Sequence, residues 1–178
     1  MKRFLAALAL GLACSHLGSP ARVVAQAEAP PSAHEIVVAY NTGSRFSLAP
    51  GIFIPQNGAR VGFSLAGDYR YGVELGPIVL APGLRLAGFF PSGFMALSAL
   101  GTARLTVPLG PVGPYVMGGV GPGYVNKPSE TGLAFMGGGG LMVYVAQAFA
   151  IGAEASYLGI TGTRFRALFL GPQLLLGF

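Results

Sequence analysis

Acid-base and nucleophilic catalysis near neutral pH most often recruit a histidine, and this chain has two, His16 and His34. His16 sits in an N-terminal segment read below as a leader, and His34 in a polar approach segment ahead of any clear strand. Neither can be placed at the rim of a β-structure beside a serine and an acid, so hydrolase or acyltransferase chemistry is not expected. The single cysteine, Cys14, lies in the same leader. With no histidine pair, no cysteine beyond the leader and only scattered carboxylates, no metal centre is expected either. Gly118-Gly119-Val120-Gly121 and Gly137-Gly138-Gly139-Gly140 superficially look like phosphate-cradling loops, but no Lys-Ser/Thr pair or helix start follows them. Glycine in a curved strand, leaving room for a bulky neighbour, is the better account. No catalytic, cofactor-binding or metal residue is assigned, and no cofactor is expected.

What remains is a set of isolated charges in an apolar chain. Only 10% of the 178 residues are charged, against roughly 25% in soluble domains. Hydrophobic residues make up 52% and the mean hydropathy is +0.61, so the 29 glycines and 14 prolines do not describe a solvated coil. The formal charge of +5 invites a nucleic-acid reading, but Lys2, Arg3 and Arg22 all precede Glu28. From Glu28 onward eight bases and six acids leave 8 − 6 = +2, with no basic run. Nothing there tracks a phosphate backbone, and no nucleic-acid partner is expected.

Met1-Lys2-Arg3 followed by the apolar run from Phe4 to Ala13 has the layout of a secretory signal. The run is too short to cross a bilayer. Ala25-Gln26-Ala27 supplies small residues for cleavage before Glu28, so 1–27 is read as a signal peptide. Cys14 offers a second reading, a lipoprotein acceptor, although Gly11-Leu12-Ala13 lacks the leucine such a motif carries three positions upstream. If the leader is removed, the mature chain has no cysteine and no disulfide framework. Residues 28–44 form a polar, Pro-containing segment with a strand-like run from Ile36 to Tyr40. That run belongs either to a periplasmic lead-in or to the first strand.

Beyond it, hydropathy alone would allow a transmembrane helix in the 23 uncharged residues between Glu130 and Glu154. Gly137 to Gly140 in its middle, each costing about 1 kcal/mol in a helix interior, argue against that. Pro108, Pro111, Pro114 and Pro122 exclude a helix in the other long uncharged span, Leu105 to Asn126. Period two fits instead. Arg60, Gly62, Ser64, Ala66, Asp68 and Arg70 share one parity, and Val61, Phe63, Leu65, Gly67, Tyr69 and Tyr71 the other. The same two faces recur over 94–107 and 148–157. The minority face is small and sparsely charged rather than well solvated, which suits the lumen of a narrow barrel whose apolar face meets lipid.

The spacing predicts eight strands at about 45–55, 60–71, 78–88, 94–108, 113–124, 132–146, 148–160 and 165–178. The 134 residues from Arg45 to Phe178 give about 17 per strand and connection, compatible with membrane strands of about 9–11 residues. Pro55 to Gly58, Phe90 to Gly93, Asn126 to Gly132 and Thr161 to Thr163 are the expected outer turns. Pro82, Pro122 and Pro172 fall inside strands and are expected to mark bulges or strand ends. Tyr69, Tyr71, Tyr124, Tyr144, Tyr157, Phe90, Phe94 and Phe178 are expected in aromatic girdles, and Phe165 and Phe169 in the lumen. Parity also turns Asp68, Arg70, Arg85, Arg104 and Glu154 inward, where they are expected to pair as a charge network because an isolated buried charge loses hydration without compensation.

Leu168, Leu170, Leu174, Leu176 and Phe178 share one parity, and the sequence ends on Phe178. This resembles the terminal strand of outer-membrane barrels, whose last aromatic residue is read by the barrel assembly machinery; Leu174, Leu176 and Phe178 match that signal, while Gln173 stands where it favours glycine. With the leader and the Gly-rich strands, residues 45–178 look like the small porin-like class represented by the transmembrane domain of outer membrane protein A. The resemblance implies an all-β, eight-stranded antiparallel up-and-down transmembrane barrel in the outer membrane of a Gram-negative bacterium, with lipid outside and the assembly machinery as a partner in biogenesis. The expected role is structural anchoring or surface interaction around a filled lumen. A narrow pore for small or apolar solutes and a periplasmic lipocalin-like carrier stand as alternatives.

Overall fold

Alternation of small or polar residues with large apolar ones is realised as eight antiparallel strands that close on themselves. The structure, a computed structural model, describes residues 32–56, 60–146 and 149–177. The expected leader with Cys14 and His16, the start of the expected lead-in and Phe178 lie outside the described residues, as do 57–59 and 147–148. The strands are β1 (Gly43–Pro55), β2 (Gly62–Leu75), β3 (Ile78–Phe90), β4 (Ala96–Thr106), β5 (Val112–Asn126), β6 (Ser129–Ala146), β7 (Phe149–Ile160) and β8 (Arg166–Gly177). Each pairs with the next in sequence, and β8 returns to β1, so the barrel has no free edge. The described residues of the 23-residue uncharged span lie in β6 and the start of β7, and none of them is helical.

Of the two readings of the run from Ile36 to Tyr40, membership of the first strand does not hold: the run is helical, within α1 (Ala33–Asn41). Ser32 supplies the reason: its hydroxyl accepts from the Glu35 N–H while the Glu35 carboxylate accepts from the Ser32 N–H. This capping box settles two of the helix's orphan donors. At the other end Arg45 donates to the carbonyls of Tyr40 and Ala39 at 2.6 and 2.5 Å, holding α1 against the start of β1. Val37, Tyr40 and Asn41 are buried.

The prolines also behave differently from expectation. Pairing runs without a break from Pro82 to Ala103, from Pro122 to Leu133 and from Pro172 to Ala153 on one side of each strand. On the other side the ladder lapses: between Arg70/Gly83 and Val73/Leu80, between Ser98/Gly123 and Gly101/Val120, and between Leu48/Leu174 and Ile52/Leu170. The register is identical before and after each gap, so these are neither bulges nor strand ends. A strand residue directs its N–H to one neighbour only, and a proline removes that one bond while the opposite ladder holds it in place. The β1–β8 gap brings Pro50 opposite Pro172, two such residues meeting at the closing seam.

Small inward residues make the lumen. A Cβ on Gly140 would stand 2.1 Å from the Ala153 carbonyl oxygen and 2.6 Å from the Tyr115 hydroxyl, and one on Gly138 only 2.4 Å from the Ser156 Cβ. Gly137, on the outward parity, has nothing within 4 Å. Gly140→Ala is therefore expected to cost about 1–3 kcal/mol by overpacking. Gly137→Ala should be neutral or stabilise by up to about 1 kcal/mol. Urea unfolding in lipid vesicles compares the two, and equal costs would mean that the glycine run serves curvature rather than lumen space.

Candidate functional site

The lumen is the most highly organised polar region of the molecule, and register explains how it forms. Asp68 on β2 stands directly opposite Arg85 on β3, and Ser47 on β1 directly opposite Asp68. Glu154 on β7 is flanked by Gly140 on β6 and Gly171 on β8. Those two missing side chains leave space beside the carboxylate. Tyr115 and Phe169 are the side chains nearest those two glycines, and Arg85 reaches the carboxylate from the far wall, since β3 and β7 are diametrically opposed in an eight-stranded ring.

Arg85 grips Glu154 in a bidentate fork, Nη1 to Oε2 at 3.0 Å and Nη2 to Oε1 at 2.8 Å. The same Nη1 lies 3.4 Å from Asp68 Oδ1. Phe169 covers the guanidinium at 5.8 Å from the ring centroid. Ser156 donates to Glu154 at 2.9 Å, and Ser47 donates to Asp68 at 3.3 Å. A second brace joins β4 to β8, again diametrically opposed. Arg104 Nη1 and the Tyr115 hydroxyl both donate to Gln173 Oε1, at 3.3 and 2.9 Å. The Gln173 amide then donates to Ser47 Oγ, which also accepts from Arg70 Nη1.

All five expected lumen charges are buried: Asp68, Arg70, Arg85, Arg104 and Glu154. Direct ion pairs join Arg85 with Asp68 and Glu154. Arg70 and Arg104 enter through Ser47 and Gln173 instead. Ser47, Tyr115, Ser156 and Gln173 were not singled out as network residues, although parity with Phe169 already turns Gln173 inward. Leu174 and Leu176 face outward, at 37% and 42% exposure. Tyr144, expected in a girdle, is in the lumen, because its partner Ala150 lies on the inward parity of Glu154. Tyr69, Tyr71 and Phe90 do face outward.

Both ends of the lumen are occupied by side chains. At the α1 end, Asn41 donates to the Tyr144 hydroxyl and the Tyr40 and Tyr144 rings lie 5.1 Å apart. At the other end, Phe53, Phe89 and Phe165 form a mutual cluster with centroids 5.4 to 6.3 Å apart, and Phe94 leans on Phe165 from above. Above this cluster, Phe94, Val125, Lys127, Glu130, Arg164 and Phe165 border a recess of about 540 Å³.

No family model matches the chain, and no curated protein matches it. Solved structures do. Neisserial surface protein A is 14% identical with a TM-score of 0.59, over 76% of this chain and 96% of that one. The outer membrane enzyme PagL is 10% identical with a TM-score of 0.53, over 75% and 99%. The N-terminal β-barrel domain of Pseudomonas aeruginosa OprF is 16% identical with a TM-score of 0.51, over 76% and 98%. At these identities the likeness is one of fold: the chain has the fold of small eight-stranded outer-membrane β-barrels.

Proposed function

We propose that the chain is exported and inserted in the outer membrane of a Gram-negative bacterium as a filled, non-conducting barrel that anchors in lipid and presents its short loops to the outside. The observation that carries this reading is the sequence of barriers along the lumen: tyrosines and α1, then the two cross-braces, then the phenylalanine cluster. Side chains that fill an eight-stranded interior leave no aqueous path. An exterior dominated by aliphatic and aromatic residues, with Leu84 and Leu86 at 62% and 65% exposure, suits lipid better than water. The basic, apolar leader supports export, and Leu174, Leu176 and Phe178 would then serve recognition by the assembly machinery.

With α1 and the N-terminus in the periplasm, the recess bordered by Lys127 and Arg164 lies at the cell surface, where it suits a surface-interaction role. PagL is an enzyme of the same fold. This chain has no histidine after His34, which falls in α1, so the reading remains non-enzymatic. Purified whole protein reconstituted in planar bilayers should give no discrete conductance steps above the lipid background. Reproducible steps would overturn the filled-barrel reading and favour the narrow pore.

A further inference from the structure

The buried charges of the lumen do not balance. Among the described residues, Arg70, Arg85 and Arg104 face only Asp68 and Glu154, an excess of 3 − 2 = +1. Arg85 engages both acids, and neither acid is hydrogen-bonded to the other two arginines. Arg70 is 4% exposed and Arg104 2%. Arg70 uses Nη1 on Ser47, while its Nη2 has no hydrogen-bond partner; Arg104 uses Nη1 on Gln173, while its Nε and Nη2 have none. Three buried nitrogens thus stand unpartnered on two guanidiniums.

A relay of three hydrogen bonds joins these two side chains. Arg70 reaches Ser47 at 3.2 Å, Ser47 accepts from Gln173 at 3.3 Å, and Gln173 accepts from Arg104 at 3.3 Å. Their charges repel each other. Tyr115 covers Arg104, with the guanidinium carbon 3.3 Å from the ring centroid, and directs its own hydroxyl to Gln173. The side chains hydrogen-bonded to the pair are neutral, and the two acids that act on it from a distance, Asp68 and Glu154, are both held by Arg85, so the excess of one positive charge stands. Water would satisfy the N–H groups but leave the buried excess charge uncompensated, which is the larger cost.

We propose that the lumen holds one small monovalent anion, of halide size, between Arg70 and Arg104. One negative charge cancels the excess, whereas a divalent oxyanion would reverse it. The position lies below the Arg85 brace and above the Tyr40–Tyr144 contact, so exchange requires the α1 end to open. The bound ion makes the second brace electrostatically complete and ties β2 to β4 through a shared ligand.

The test uses the whole chain folded in detergent micelles, with sodium gluconate replaced by sodium chloride or bromide at constant ionic strength. Unfolding in urea should slow by about threefold or more and saturate, as expected for a ligand bound to the folded state alone. Arg70→Gln and Arg104→Gln should each lose the halide effect, while Lys127→Gln, at the outer recess, should keep it. Equal unfolding in gluconate and halide, or an equal halide effect in all variants, overturns the proposal. Should the lumen variants fail to fold, bromide-soaked crystals of the unaltered protein decide it: an anomalous peak within hydrogen-bonding distance of both guanidiniums supports the site, and its absence from that position refutes it.

Discussion

Arg85→Met is expected to lower the unfolding free energy by about 3–5 kcal/mol, the usual cost of breaking a buried ion pair by removing one partner. Methionine roughly matches the aliphatic length of arginine and can lie on Phe169, so lost volume contributes little. The loss is electrostatic. Asp68 would keep only its bond from Ser47, and Glu154 only its bond from Ser156, leaving two buried carboxylates with no direct ion pair. Neutralising the whole set together, as Asp68→Asn, Arg70→Gln, Arg85→Met, Arg104→Gln and Glu154→Gln, should recover most of the loss, because a wholly neutral interior of similar volume is often as stable as a buried ionic network. Urea unfolding in lipid vesicles measures both variants. A loss below about 1 kcal/mol for Arg85→Met would match a solvated pair and rule out the dry, braced lumen.

The inward charges were legible because each stands alone on a strand of small residues, where parity has one solution. Asp68 and Arg70 fix it for β2, Arg85 for β3, Arg104 for β4 and Glu154 for β7. In β5 and β6 the parity is hidden: runs such as Gly137 to Gly140 carry no polarity to alternate, and Tyr144, expected in a girdle, is buried in the lumen. Only pairing with β7 resolves them. The helix was obscured in another way. Ile36, Val37 and Val38 have the β-branched character of a strand, and the Ser32–Glu35 capping box that starts the helix is seen only in the structure. The prolines show a limit of local rules. A ladder bond lost on one side does not end a strand that is held from the other side, and the side on which the bond is lost depends on register, which belongs to the closed ring as a whole.

The neighbour of Arg85 tests the opposite face. Leu86→Arg is expected to cost about 2–4 kcal/mol in lipid vesicles, the penalty for a basic side chain on the lipid-facing side near the bilayer midplane. Leu86 lies well inside β3, opposite Gly67 on β2 and Ala99 on β4. With Leu65, Phe90 and Leu97 it borders an open recess of about 990 Å³, so an arginine fits there without a clash and the cost reports solvation alone. Leu75→Arg, at the last residue of β2, should cost only about 0–1 kcal/mol because a charge near the interface reaches water. A soluble carrier would behave otherwise. On a water-facing surface both substitutions fall within about 0.5 kcal/mol of zero. Equal and small effects at the two positions would therefore place the barrel exterior in water and sink the membrane reading, whatever the lumen contains.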